Sequence, residues 1–254
     1  MDLTDRVAVV TGGGTGIGAA IAHALVAAGA RAVLVTWSRS EDAAAETVAS
    51  LRKAGGEAEA LAVDVRDDDQ VRALATRCHD LFGRCDVLVN NAASTAWLPF
   101  DDLEAVQDST WHDILDVNVV GAFRCARALA PALREAGGAI VNIASISAHR
   151  GIGSSIPYGV SKAALLQLTR SLAVALGPEV RVNSVSPGTV ATRWQLDRHG
   201  EEGFGELTAR ERERSPLART AQPEDVASAV MGLLAADMVT GVDVVVDAGK
   251  HLMY

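Results

Sequence analysis

The chain has 254 residues, of which 49% are hydrophobic but only 4% aromatic, and a formal net charge of -9. The apolar content excludes a disordered chain, and the scarcity of rings calls for a core of Ala, Val, Leu and Ile, as when helices pack closely on a sheet. The acidic balance, with no Lys and Arg cluster to overrule it locally, argues against nucleic acid, membrane surfaces and acidic carrier proteins as partners, and for a free small molecule.

Cys78, Cys85 and Cys125 form no C-x-x-C pair and no metal-ligand spacing. They are expected to be reduced thiols, with no metal. The opening residues lack the basic and apolar blocks of a signal peptide, and no apolar run approaches the roughly 20 residues of a membrane span. A cytoplasmic protein is expected.

Residues 7–10 are a short apolar run ending in a glycine-rich turn, and 17–28 then space apolar residues at helical intervals. The alternation continues, with predicted strands at 32–36, 58–63, 86–90, 139–143, 181–185 and 242–247. Helices are predicted at 41–53, 67–82, 110–134, 158–176 and from Pro223 onward. This order predicts an α/β fold: a single Rossmann-like domain over 1–254, doubly wound, with about seven parallel strands and helices on both faces. Ligands are expected beyond the carboxyl ends of the strands. Residues 188–222 break the regularity; polar, rich in Glu and Arg and long for a connection, they are read as a substrate lid.

Gly12, Gly16 and Gly18 follow G-x-x-x-G-x-G at the start of the first predicted helix. Glycines there let the backbone turn sharply and let a pyrophosphate approach the helix amides. As an isolated motif the turn has a plainer reading as a ligand-free Gly-rich loop, which is the weaker of the two. No acid ends the second predicted strand; Thr36-Trp37-Ser38-Arg39-Ser40 instead offers hydroxyls and a guanidinium. That set suits a 2′-phosphate through charge-assisted hydrogen bonds, and Arg39 read alone is also a plain surface charge. Tyr158 and Lys162, four residues apart on a predicted helix, share one face. A neighbouring ammonium lowers the pKa of a phenol from its ordinary value of about 10, which would bring Tyr158 toward use as a general acid/base. Isolated, the pair is also an ordinary surface contact.

Taken in chain order, these marks resemble the short-chain dehydrogenase/reductase family. Thr11-Gly12-x-x-x-Gly16-x-Gly18 is similar to the family's cofactor turn, Asp64-Val65 ends the third strand, and Asn90-Asn91-Ala92 ends the fourth. The family has Asn-Asn-Ala-Gly there, and this chain carries Ala93 in place of the Gly. Asn118 lies in Asp116-Val117-Asn118-Val119, and Ser145 precedes Tyr158 by thirteen residues, with Ser147 as its rival.

The resemblance implies an NAD(P)(H)-dependent oxidoreductase, a ketoreductase interconverting a ketone and a secondary alcohol. The implied catalytic residues are Asn118, Ser145, Tyr158 and Lys162: Tyr158 exchanges the proton, Ser145 bonds the substrate oxygen, Lys162 also holds the nicotinamide ribose, and Asn118 holds a water. The implied cofactor contacts are Gly12, Gly14, Thr15, Gly16, Ile17, Gly18, Ser38, Arg39, Asp64, Val65, Asn91, Ala92, Tyr158, Lys162, Pro187, Gly188 and Thr192, with Asn183 supporting the site. NADP(H) is favoured and NAD(H) is the alternative, since Thr15 stands where NADP-preferring relatives often carry a basic residue.

Trp97, Leu98, His149, Ile152 and Trp194 are near these motifs in sequence and carry no assigned role. The rival class is a dinucleotide-binding redox sensor or scaffold without turnover, and the rival within enzymes is an NAD-dependent alcohol dehydrogenase. A sensor needs the glycine turn but not the proton relay. The resemblance also implies a homotetramer, or a dimer, built through the two long helices and the final strand. The tail 250–254 is expected either to reach across that interface or to fray.

Overall fold

The computed structural model describes residues 1–253. Seven strands, β1 (Val7–Val10), β2 (Ala32–Trp37), β3 (Glu57–Ala62), β4 (Val87–Asn90), β5 (Ala139–Ile143), β6 (Arg181–Pro187) and β7 (Asp243–Val246), form one parallel sheet in the order β3-β2-β1-β4-β5-β6-β7. Helices α1 (Gly16–Ala27), α2 (Glu41–Lys53), α3 (Asp68–Phe82), α4 (Asp108–Leu115), α5 (Ala122–Ala136), α6 (Ile156–Leu176), α7 (Arg193–Arg214) and α8 (Pro223–Ala235) cover it.

Successive strand residues alternate faces, and in β1 each face finds a different helix layer. Ala8 and Val10 pack with Ile21 and Leu25 of α1 and Val226 and Val230 of α8. Val7 and Val9 pack with Leu74 of α3, Leu129 and Leu133 of α5 and Leu172 of α6. Both faces are therefore buried, which is why β1, β2 and β4 read as continuous apolar runs. Small residues let the layers approach closely; a Cβ on Gly14 would stand 2.9 Å from Ala44 of α2.

Boundaries moved where local chemistry outweighed periodicity. Asp67 lies outside α3 and caps it, accepting from the N–H groups of Asp69 (2.9 Å) and Gln70 (3.2 Å). Asp86 is likewise outside β4; its buried carboxylate accepts from Arg6 and Arg84 (both 2.6 Å) and from Val7 N (2.9 Å), fastening the entries of β1 and β4.

Two larger expectations need correction. The predicted helix 110–134 begins earlier, at Asp108, and is interrupted by a π-helical segment, Asp116–Gly121. Gly121 packs so closely on Val65 that a Cβ would lie 2.7 Å from Val65 Cγ2. Residues 188–222, irregular by sequence pattern, are largely helical: α7 occupies most of them and kinks at Gly200 (φ 67°, ψ 174°). Its sequence has no apolar stripe because Glu211 alone among its residues is buried, so periodicity had nothing to detect. The tail does not fray over its described part; Lys250–Leu252 form a 3₁₀ turn, and Tyr254 lies outside the described residues. Among the described residues no helix is long and apolar enough to cross a membrane, and the three cysteines are buried free thiols.

Candidate active site

A cleft of about 960 Å³ opens at the carboxyl ends of the strands. It spans the point where the strand order reverses between β1 and β4, the place where open parallel sheets leave room for a ligand. Each strand contributes its following loop: Gly12, Gly14, Thr15, Gly16 and Ile17 after β1, Ser38 and Arg39 after β2, Asp64 and Val65 after β3, and Asn91 and Ala92 after β4. Ser145 enters from the loop after β5, Tyr158 and Lys162 from α6, and Pro187, Gly188 and Thr192 from the loop after β6. Two of the expected site residues, Gly18 and Asn118, do not line the cleft.

The β1–α1 loop is shaped for close approach. Gly12 and Gly16 adopt left-handed backbone conformations (φ 61° and 52°), which L side chains resist. Thr15 makes no side-chain cap to α1, no acid occupies the first turn, and the N–H groups of Gly16, Ile17 and Gly18 meet no acceptor among the described residues. Unsatisfied donors at the positive end of a helix, beside a turn that is glycine except for Thr15, fit a pyrophosphate. Gly18 acts differently from expectation. A Cβ there would lie 2.4 Å from Gly12 O and 2.6 Å from Asn91 Nδ2, so its bare backbone permits helix–loop packing and does not face a ligand.

Thr11 and Asn91 hold this loop against the end of β4. The Thr11 hydroxyl accepts from Asn91 N (3.0 Å) and Ala92 N (3.1 Å), and Asn91 Nδ2 donates to the carbonyls of Thr11 and Gly12 (both 3.0 Å). The Thr36 hydroxyl accepts from Gly12 N at 3.2 Å, which ties the end of β2 to the glycine turn and leaves its own proton to be donated. Arg39 makes no hydrogen bond or salt bridge among the described residues, and its charge contributes to lowering the Asp64 carboxyl. Asp64 accepts from Arg66 Nε (3.0 Å) and Nη2 (2.6 Å), and this guanidinium holds its carboxyl below the usual 3.8.

Ser155 caps α6 by accepting from Tyr158 N (3.4 Å), which fixes Tyr158 in the first turn with Lys162 one turn further in. Lys162 is 2% exposed; its Nζ donates to Ile143 O at 2.8 Å and lies 5.7 Å from the centre of the Tyr158 ring. Burial pushes this ammonium down to about 7. The expectation that it would lower the Tyr158 phenol is not met: burial raises the phenol above its ordinary value of 10, and the adjacent Ser145 hydroxyl opposes that shift. The rival Ser147 also lines the cleft, and its backbone N–H donates to Ser145 Oγ (3.1 Å).

The Asn118 side chain does not line the cleft, and its amide bonds to Ser94 and Ser161. Its Oδ1 accepts from Ser94 N (2.7 Å), and its Nδ2 donates to Ser94 O (3.0 Å) and Ser161 Oγ (2.9 Å). Its side chain therefore ties the π-helical segment to the loop after β4 and to the residue beside Lys162. Thr11, Ser161 and the buried Asn90–Asn142–Thr169 chain (2.9 and 2.8 Å) carry this architecture; Thr11 and Asn90 belong to motifs visible in the sequence, whereas Ser161, Asn142 and Thr169 carry no such mark. Their partners lie dozens of residues away, beyond the reach of any local pattern. Asn183 supports from below, donating to Val239 O at 2.9 Å.

Trp97, Ile152 and Trp194 line the cleft, whereas Leu98 and His149 do not. Trp97 meets the ring of His199 edge to face (5.9 Å) and stacks under Arg198 (5.3 Å), joining α7 to the loop after β4. His149 instead reaches Asp243 Oδ2 at 2.8 Å.

A family model described as enoyl-(acyl carrier protein) reductase matches residues 12–251. A protein of Streptomyces violaceoruber named as a ketoacyl reductase of the granaticin polyketide synthase is 41% identical over 248 residues, covering 97% of this chain and 96% of that one. A 3-oxoacyl-(acyl-carrier-protein) reductase of Synechocystis is 36% identical over 253 residues, covering 97% of each. Among solved structures, one described as a short-chain dehydrogenase/reductase from Burkholderia xenovorans superposes with a TM-score of 0.90 at 32% identity, covering 97% of this chain and 98% of the other. A family model spanning nearly the whole chain, relatives matched end to end and a shared seven-stranded fold agree with the motifs gathered in the cleft, and the chain belongs to the short-chain dehydrogenase/reductase family of oxidoreductases.

Proposed function

We propose that this protein reduces a ketone to a secondary alcohol with NADP(H), using Tyr158 as the proton donor. The observation that carries the reading is the meeting of Ser145, Tyr158 and buried Lys162 in the same cleft as the phosphate-ready turn of β1–α1. When bound, the dihydronicotinamide supplies a hydride to the carbonyl carbon. Tyr158 gives its phenolic proton to the carbonyl oxygen, and Ser145 donates a hydrogen bond to that oxygen while charge develops on it. Lys162 replaces the lost proton and binds ribose hydroxyls through the ammonium donors that its bond to Ile143 O leaves over. Asn118 is a positioning residue whose side chain sets the Ser94 loop and Ser161.

Preference for NADP(H) over NAD(H) rests on Arg39, without a salt bridge beside Ser38 after β2, where the loop itself carries no carboxylate to repel a 2′-phosphate. The relatives named as ketoacyl reductases favour the reductive direction. Exposed Phe123 of α5, Val160 and Val174 of α6, and Leu252 beyond β7 support assembly of further copies through these faces, as a tetramer.

The test is fluorescence titration with NADPH and NADH, followed by turnover of a ketone and alcohol panel by wild type and Tyr158→Phe. The reading expects tighter NADPH binding and a fall in turnover of roughly 10²–10⁴-fold in the variant, whose cofactor still binds. Cofactor binding with no turnover of any ketone or alcohol by wild type would favour a sensor instead.

A further inference from the structure

The cleft that holds Tyr158 is also lined by a charged pair that proton and hydride transfer do not use. Glu211, the buried residue of α7, accepts a hydrogen bond from the ammonium of Lys250, and both side chains line the cleft. They are 11% and 15% exposed. Lys250 is not a loose surface lysine. The Asp247 carboxylate accepts from Gly249 N (2.9 Å) and His251 N (2.7 Å), winding the turn that carries Lys250. Gly249, left-handed at φ 80°, lies against Pro216, where a Cβ would stand 2.9 Å from Cγ.

Within this pair, one ammonium N–H goes to Glu211 Oε1, and among the described residues neither the remaining ammonium donors nor Glu211 Oε2 has another partner. A buried ion pair contributes little net stability, because desolvation offsets its attraction. Unused donors and acceptors of both signs on a cleft wall are, however, what a ligand hydroxyl needs.

We propose that Glu211 and Lys250 dock a neutral hydroxyl of the substrate, remote from the reacting carbonyl, and that the substrate class is hydroxylated cyclic ketones. The hydroxyl oxygen accepts from Lys250 while its proton is donated to Glu211, so both ions are satisfied without a change in net charge. A carboxylate at that position meets attraction from Lys250 but repulsion from Glu211. An alkyl tail leaves both ions with unmet hydrogen bonds, the situation that discriminates most strongly against an analogue lacking the polar group. Trp194 lines the same cleft and offers a flat apolar surface to a ring. The orientation rests on the reading of Tyr158 as the reacting end.

The test is calorimetric titration, in excess NADP⁺ so that no hydride is available, with 1-tetralone, its hydroxy isomers and its carboxy analogues. Turnover of the same ketones with NADPH is measured separately. Wild type is expected to bind at least one hydroxy isomer about tenfold or more tightly than the parent, the scale of a hydrogen bond to a charged group, and to bind no carboxy analogue better than the parent. In Glu211→Leu/Lys250→Met the hydroxyl preference collapses to near unity. Glu211→Gln, close in shape, frees the ammonium and is expected to gain about tenfold for a carboxy analogue; a merely structural latch gives no such exchange, and this variant decides the matter if the double variant does not fold. No hydroxyl preference in wild type, or one that survives in the double variant, overturns the proposal. Because binding is read without turnover, a hydroxyl preference in an enzyme that reduces nothing overturns the reductase reading alone, and unselective binding with active turnover overturns this proposal alone.

Discussion

Lys162 holds its ammonium in a place that penalises charge. Burial lowers its pKa to about 7 from 10.5, so between those values the unfolded chain binds a proton that the folded chain does not. Stability contributed by this residue therefore rises with pH across that window, and below about 7 the full cost of the buried charge is present. Lys162→Met removes the titrating group and keeps most of the volume. Urea unfolding is expected to show wild type gaining about 2 kcal/mol relative to the variant between pH 7 and pH 9; equal pH profiles would sink the idea. On the proposed reading, Arg39→Ala is expected to weaken NADPH binding by about tenfold or more and to leave NADH within about threefold, read by the same titration. The glycine turn, Tyr158 and Lys162 were legible as residues because their spacing in the chain is short. The true commitments of Thr36 to Gly12 and of Asn118 to Ser94 and Ser161 were not, since each depends on a partner from another element.

Among the elements, those with an apolar stripe or run were found close to their observed bounds, and errors collected where polar atoms determine the backbone. Asp67 and Asp86 leave the elements predicted for them because each carboxylate binds backbone N–H groups. The π-helical segment carries Gly121 close against Val65 and Asn118 onto Ser94, contacts to partners outside the helix that its own periodicity does not reveal. Helix α7 escaped notice because its exposed faces carry Glu and Arg, as in the Glu206–Arg210 pair (3.8 Å). Its kink depends on Gly200, whose φ and ψ suit glycine almost alone. Gly200→Ala is expected to cost about 1–3 kcal/mol locally and to speed hydrogen exchange across 193–214 while α1 through α6 exchange as before. Unchanged exchange in α7 would show that the kink is not under that constraint.

At the scale of the whole molecule, the proposed tetramer is expected to appear in sedimentation equilibrium at about four times the 26.4 kDa chain mass. Val174→Glu on α6, where 85% of Val174 is exposed, is expected to shift the population toward smaller species; a monomer in the wild type would refute the assembly. The alternation of apolar runs with helical spacing determined the doubly wound fold, because a strand buried on both faces and a helix buried on one each leave a local imprint on the chain. The same local signals determined which loops would gather at the carboxyl ends of the strands. The tertiary structure alone decided that Gly18 packs instead of facing the cleft, that Asn118 does not line it, and that burial raises the Tyr158 phenol while depressing Lys162. It also brought Glu211 and Lys250 together across 39 residues. Each of these depends on dielectric surroundings or on partners distant in the chain, and neither is encoded in the spacing of neighbouring residues.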